Sequence, residues 1–284
     1  MLVSNFGDDY RLLKASNGQK LETWGKVTLL RPDPVIIWND GNINTSEADA
    51  VYYRSNTGGG HWENLKKVPE RWTINYKNLT FNIKQMGFKH TGLFPEQAVN
   101  WERMIGKIQN SKKKDIKILN LFAYTGGATV ACLSAGASVV HVDSSKGMND
   151  WAKENVVSSG LQDKPVRFLV DDVIKFVERE IRRGNKYDGI VMDPPSYGRG
   201  ANKEVWSIEK DLDRLLSLCE QILVDDYLFV CVNTYSTNLS LLTLENILKT
   251  HFISGNVQVD EIALPIENSK LYLSCGVTGW ITHE

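Results

Sequence analysis

Two rhythms of apolar and polar positions divide the chain. Over the first hundred or so residues, apolar side chains alternate with polar ones in short runs, as in strands with one wet face. The segment YRLLKASNGQKLETWG sets Asn17-Gly18 between two alternating stretches and predicts a hairpin. WTINYKNLTFNI does the same about Lys77-Asn78. NTGGGHW reads as a loop, because three successive glycines bring no side chain to a core. FPEQAVNWERMIGKIQ predicts a helix, with Pro95 near its first turn and Glu96 early. NSKKKD follows as a polar, charged linker, which places a boundary near Ser111 and divides the chain into 1–110 and 111–284.

Beyond that linker, continuous apolar runs alternate with helical patterns. IKILNLFAY, SVVHVD, VRFLV, YDGIVMD and YLFVCVN predict strands buried on both faces. GATVACLSAG, SKGMNDWAKENVVSSG, DVIKFVEREIRRG, IEKDLDRLLSLCEQIL and LSLLTLENILKTHF predict the helices that follow each of them. VQVDEIAL and KLYLSCGVTGWI close the chain as two strands joined by a short connection, expected to run antiparallel. Strand–helix alternation implies an α/β fold with an open, mostly parallel sheet, preceded here by a smaller β-rich domain. No internal repeat or low-complexity tract interrupts this order.

Composition narrows the function classes. The chain has 284 residues, 42% of them hydrophobic, enough for one large domain or two. A net charge of -1 gives no whole-molecule attraction to nucleic acid, though a local basic face is compatible with it. Cys132, Cys219, Cys231 and Cys275 are scattered without metal-ligand spacing, so no metal site and no disulfide framework is expected. MLVSNFGDDYR lacks the layout of a signal peptide, and no apolar run nears the ~20 residues of a membrane span. The expectation is a soluble cytoplasmic protein.

Open α/β sheets bind ligands at the carboxyl ends of their strands. Read in order, those ends carry NLFAYTGG, then Asp143, then Asp171-Asp172, then Asp193-Pro194-Pro195. Each has a bland reading: a tight turn, a helix N-cap, plain punctuation. Ser144 and Ser145 are rival caps to Asp143, which frees that acid for a ligand. The interval from Gly126 to Asp143 is near the spacing at which an acid reaches the two hydroxyls of a ribose. A nicotinamide dehydrogenase is disfavoured, because the outer glycines of GxGxxG are absent and Tyr124 sits inside the turn. No GxxxxGK[ST] occurs, which excludes a P-loop.

LNLFAYTGGATVACLSAGA, VVHVDSS, VDD and DPPSYGRG, in this order, resemble the class I S-adenosylmethionine-dependent methyltransferases with their Rossmann-like sheet. Within them the chain is similar to the branch of large-subunit ribosomal RNA methyltransferases that carry a β-rich domain first. FKHTGLFPEQAVNW, ahead of the sheet, adds to that likeness, which runs from about Pro69 to the end. The resemblance implies S-adenosyl-L-methionine as cofactor and an RNA substrate. It implies that Asn120, Phe122, Ala123, Tyr124, Thr125 and Gly126 line the methionine part of the cofactor. Asp143 then binds the ribose, Ser144 lies beside the adenine, and Asp171, or else Asp172, reaches the adenine amino group. Thr91, Gly92 and Phe94 lean over the cofactor, and Asp193 and Pro194 face the methyl and its target. Tyr197 either stacks on a base or packs in its own loop, which Gly198 and Gly200 would let close.

Some relatives in this branch methylate carbon 5 of cytosine through a cysteine just after the fifth strand. Here that stretch is CVNTYSTN, with Tyr235 at the aligned position and Cys231 inside the strand. A base nitrogen, which needs no covalent catalyst, is the better target; a small molecule or a protein is the alternative acceptor. A chain that keeps the fold and binds RNA without turnover is the reading from another class. Lys66-Lys67, Lys112-Lys113-Lys114 and Arg182-Arg183 read first as solvated surface. His61-Trp62 either covers the site or packs, His90 is a neighbour of the cofactor, and His141 is a hydrogen-bonded core residue. No membrane partner is expected, and a homo-oligomer is left open.

Overall fold

The computed structural model describes residues 1–55, 59–199, 204–235 and 239–283. It divides into two compact units: residues 2–99 with 262–275, and residue 1 with 100–261 and 276–284. The units part between Val99 and Asn100, where the linker pattern had suggested Ser111, and a late segment returns to the first unit.

In the β-rich unit, β1 (Leu2–Val3) pairs in parallel with Ile262 and Ala263. β2 (Tyr10–Ser16), β3 (Gln19–Trp24), β4 (Val27–Pro32), β5 (Ala50–Arg54) and β6 (Gly60–Asn64) form a sheet in that order. β7 (Trp72–Tyr76) and β8 (Leu79–Ile83) form a separate hairpin. Both expected turns are present. Asn17 and Gly18 have φ of 50° and 75°, the left-handed pair that a two-residue hairpin needs, and Lys77 has φ 53°. His61 and Trp62 lie in β6, not in a loop. The His61 ring packs on Tyr53 and the Trp62 ring on Tyr52, and the indole N–H donates to the Met86 carbonyl at 2.9 Å. Of NTGGGHW, 56–58 lie outside the described residues.

This unit buries an ion pair. Arg31 grips the Glu22 carboxylate in two bonds of 2.7 and 2.8 Å, and the Tyr10 hydroxyl donates a third at 2.7 Å. Burial alone would raise the Glu22 carboxyl, but Arg31, Lys20 and these bonds outweigh it and hold it at about 2.

The second unit contains α1 (Ala98–Gln109, its first two residues belonging to the β-rich unit), β9 (Lys117–Leu121), α2 (Gly127–Ser134), β10 (Ser138–Asp143), α3 (Lys146–Ser158), β11 (Val166–Val170) and α4 (Val173–Arg183). It continues with β12 (Gly189–Met192), β13 (Tyr197–Arg199), β14 (Val205–Ser207), α5 (Ile208–Glu220), β15 (Phe229–Thr234), α6 (Leu241–His251), β16 (Gly255–Pro265) and β17 (Tyr272–His283). The ends of β16 and β17 near their connection, from Ile262 to Cys275, belong to the β-rich unit. The sheet order is β16-β17-β15-β12-β9-β10-β11. β15, β12, β9, β10 and β11 pair in parallel, and β17 runs antiparallel to β15. This is the expected mostly parallel sheet with an antiparallel end.

Alternation along the strands makes two cores. Leu119, Leu121, Ile190, Met192, Val230 and Val232 pack with Val173, Phe176 and Val177 of α4, Leu212, Leu215 and Leu216 of α5, and Leu244 and Leu248 of α6. Full burial of each such side chain stabilises by about 1.5–3 kcal/mol. Asn120 and Cys132, by contrast, make bonds on the side of α2 and α1. Cys231 is wholly buried in β15, as its place in a strand suggests. Among the described residues, no helix is long and apolar enough to cross a membrane.

Candidate active site

Strand order reverses at β9. β10 and β11 lie on one side of it, and β12 and β15 on the other. A crevice outside the carboxyl ends of β9 and β12 is where such a sheet takes a ligand. The register sets Leu121 beside both Met192 and Val142, so the next residues, Phe122, Asp193 and Asp143, come off the sheet together.

After Leu121 the chain makes a tight turn, with φ of 52° at Phe122, 50° at Tyr124 and 82° at Gly126. Two non-glycine residues in the left-handed region mark a turn held by its surroundings. The Ala123 N–H donates to the Val142 carbonyl at 3.1 Å, and the Asn155 amide donates to the Thr125 carbonyl at 2.8 Å. The Tyr124 N–H donates to Asp143 Oδ2 at 2.8 Å, and the Ser145 N–H to Oδ1 at 2.9 Å. Each carboxylate oxygen keeps a further lone pair. Burial pushes the Asp143 carboxyl upward, and these two N–H donors oppose it. Ser145, not Asp143, caps α3 by accepting the Met148 N–H.

The two glycines serve packing. A side chain at Gly126 would begin 2.9 Å from Cβ of Ala152, and one at Gly127 would begin 2.6 Å from the Trp101 ring. So Gly126-Gly127 lets α2 start close against α3 and α1. Asn120 also faces inward: its amide donates to the Thr129 hydroxyl at 3.0 Å, and that hydroxyl shares a hydrogen bond of 2.9 Å with Nδ1 of His141. His141 is thus the core histidine expected from its strand, with burial driving its imidazole down to about 3.

The four-residue turn Asp193-Pro194-Pro195-Ser196 leads into β13, which pairs with β14 as a small ribbon. Tyr197–Arg199 is thus a short strand where the glycines predict a loop. Tyr197 lies opposite Ser207 in that ribbon and is 56% exposed, while Gly200 lies outside the described residues. Asp193 is half-buried and Pro194 buried. The Pro195 carbonyl accepts the Trp206 indole N–H at 2.7 Å, so of the two proline carbonyls this one is already engaged. Trp206 escaped the sequence reading, since nothing in its spacing sets it apart from a core residue. A second missed group is a buried amide pair: Asn100 donates to Asn233 at 2.9 Å and accepts the Trp280 indole N–H at 2.8 Å. The register puts Asn233 next to Asp193, one step beyond Met192 and Val232.

The remaining candidates are spread more widely. Ser144 is exposed beside Asp143. Asp171 pairs with Arg179, and Asp172 caps α4 by accepting the Lys175 N–H at 3.0 Å. The bland cap reading holds for Asp172, a role worth about 1 kcal/mol. Thr91, Gly92 and Phe94 belong to the β-rich unit. There Thr91 is wholly buried with its hydroxyl unpartnered, Gly92 has φ 99°, and Phe94 precedes a short turn of 3-10 helix. In the same unit, burial lowers His90 to about 4. Lysines and arginines of the three basic clusters are partly neutralised, Lys66 by Asp49, Lys113 by Asp188 and Asp226, and Arg183 by Glu180. A separate cleft lined by Arg103, Lys107, Tyr227 and His283 opens beside the start of β15, at the opposite edge of the sheet.

Fold and strand ends together define a Rossmann-like ligand-binding unit of the class I methyltransferase type. The family described as S-adenosylmethionine-dependent methyltransferase matches residues 50–257, and the chain belongs to it. The crystal structure of a SAM-dependent methyltransferase from Agrobacterium tumefaciens superposes with a TM-score of 0.94 at 32% identity, covering 100% of this chain and 93% of that one. The chain is also similar to ribosomal RNA large subunit methyltransferase K of Neisseria meningitidis, 25% identical over 213 residues, 74% of this chain and 58% of that protein. It is 31% identical over 195 residues to ribosomal RNA large subunit methyltransferase K/L of Shewanella baltica, 67% of this chain and 25% of that protein. The chain therefore matches little more than half the length of the first relative and a quarter of the second.

Proposed function

We propose that this chain transfers the methyl group of S-adenosylmethionine to a base nitrogen of RNA, with ribosomal RNA in the cytoplasm as the acceptor. The observation that carries the cofactor half is the Asp143 carboxylate, fixed by the Tyr124 and Ser145 N–H groups and still able to accept two hydroxyls. The residues fit the group in other respects. The turn from Phe122 to Gly126 is held from behind by Val142 and Asn155, and α2 begins at Gly126 with no side-chain cap over its first N–H groups. An amino acid carboxylate suits uncapped N–H groups at a helix start. The names of the ribosomal RNA relatives support the acceptor half.

When bound, S-adenosylmethionine supplies an already activated methyl. What is left to the protein is alignment and the exclusion of water. Asp193 and Pro194 stand at the end of β12, beside that turn, on a backbone stiffened by two prolines. In the proposed mechanism the Asp193 carboxylate and the Pro194 carbonyl accept hydrogen bonds from a base amino or ring N–H. That points the nitrogen lone pair at the methyl and offsets the positive charge that develops on nitrogen. Cys231 gives no nucleophile for carbon methylation, because burial pushes its thiol up to about 12.

Nucleoside mass spectrometry of ribosomal RNA from cells with and without the gene tests the proposal. One methylated base should vanish and return when the purified protein and S-adenosylmethionine are added. An unchanged profile from a protein that binds the cofactor would point to a small molecule or a protein as acceptor.

A further inference from the structure

The geometry points to Trp206 as a positioning residue that couples the turn after β9 to the acceptor turn after β12, an inference that rests on the function proposed above. Trp206 sits in β14 and is only 8% exposed. Its indole touches both turns. The ring packs against Phe122, with centroids 4.8 Å apart and planes at 58°. The Nε1–H donates to the Pro195 carbonyl at 2.7 Å. Phe122 is the first residue of the strained turn, with φ 52°, and Pro195 is two residues after Asp193.

The bond to Pro195 has a particular consequence. Pro194 and Pro195 have no backbone N–H, so this stretch can be anchored only through its carbonyls. Trp206 takes one of them. The ribbon supports the arrangement: Trp206 lies opposite Gly198, and Tyr197 opposite Ser207, so the Trp206 side faces inward while Tyr197 stays exposed. The Ile208 N–H then donates to the Ser196 carbonyl at 3.1 Å, closing the far side of the turn. Trp206 meets the cofactor turn with its ring and the acceptor turn with its donor. A shift of Phe122 on cofactor binding is thereby passed to Asp193-Pro194-Pro195. In the reverse direction, an acceptor seated on Asp193 steadies Phe122.

Amide hydrogen exchange read by mass spectrometry, with and without S-adenosylmethionine, tests this without knowing the acceptor. In the wild-type chain the cofactor should slow exchange both at 122–127 and at 196–199. Trp206→Phe keeps the ring and removes the N–H; it should retain protection at 122–127 and lose it at 196–199. Phe122→Leu cuts the same bridge from its other end; at saturating S-adenosylmethionine, with binding verified by calorimetry, it should give the same loss at 196–199, so the test stands even if one variant fails to fold. Cofactor-induced protection at 196–199 that survives in either folded variant would overturn the coupling, as would a wild-type chain that binds the cofactor and shows protection only at 122–127. A wild-type chain that does not bind S-adenosylmethionine by calorimetry would instead overturn the functional reading, and the coupling with it.

Discussion

The Asp143 carboxylate accepts the Tyr124 N–H at 2.8 Å and so ties the end of β10 to the turn that follows β9. One acid thereby shapes the turn, and in the proposed function it also presents an edge to the cofactor ribose. Asp143→Ala should weaken S-adenosylmethionine binding by about 10- to 100-fold, since hydrogen bonds to a charged group are worth about 1.5–3 kcal/mol. Asp143→Asn keeps one carbonyl acceptor and should fall between. Calorimetry decides, and unchanged affinity in the alanine variant would take Asp143 out of the ribose role.

Asp193 should separate binding from chemistry. It is half-buried at the end of β12 and stands one step beyond the sheet pairing of Met192. Asp193→Ala should leave cofactor affinity within about threefold, a change under 1 kcal/mol. The same variant should lose methyl transfer to the unmethylated RNA from cells lacking the gene. Full transfer by this variant would make the acid structural.

Cys231 offers a check on the target atom. It is wholly buried, with its Sγ 3.7 Å from the Thr278 hydroxyl. A nitrogen acceptor needs no thiolate, so Cys231→Ala should keep its transfer rate. A variant that binds cofactor and folds but transfers nothing would favour covalent attack on carbon.

His141 should leave a signature in acid. Its folded imidazole titrates at about 3 against an ordinary 6.5, because burial opposes the charge. Above pH 6.5 both states are neutral there and the stability is whole. Below it the unfolded chain binds a proton that the folded chain refuses, so stability falls by about 1.4 kcal/mol per pH unit until pH nears 3. His141→Gln should flatten the change in melting temperature between pH 7 and pH 5. An equal slope in both proteins would mean that other groups carry the acid response.

The sheet was legible because its strands are buried on both faces, which leaves short continuous apolar runs such as GIVM and FVCV, too brief for helices and alternating with longer helical patterns. Asn17-Gly18 and Lys77-Asn78 were legible for a local reason, since turn chemistry is written in adjacent residues. What the sequence hid depends on contacts between distant segments. Gly126-Gly127 reads as a tight turn, but the need for two glycines comes from Ala152 and Trp101, which stand where their side chains would begin. Asp172 and Asp171 looked alike, and only the Lys175 N–H and Arg179 tell a cap from an ion pair. Trp206 is separated from Phe122 by more than eighty positions, and no periodicity announces a side chain that spans two turns. The return of 262–275 to the β-rich unit was hidden likewise, because two strands that look continuous in sequence serve different units at their two ends.

The proposed function places S-adenosylmethionine at the carboxyl edge of β9, β10 and β12. Isothermal titration of the purified chain with S-adenosylmethionine tests it most directly, with a nicotinamide dinucleotide as the comparison ligand. Saturable one-to-one binding of S-adenosylmethionine is expected, weakened in Asp143→Ala, with no binding of the dinucleotide. No heat with S-adenosylmethionine and saturable binding of the dinucleotide would contradict it.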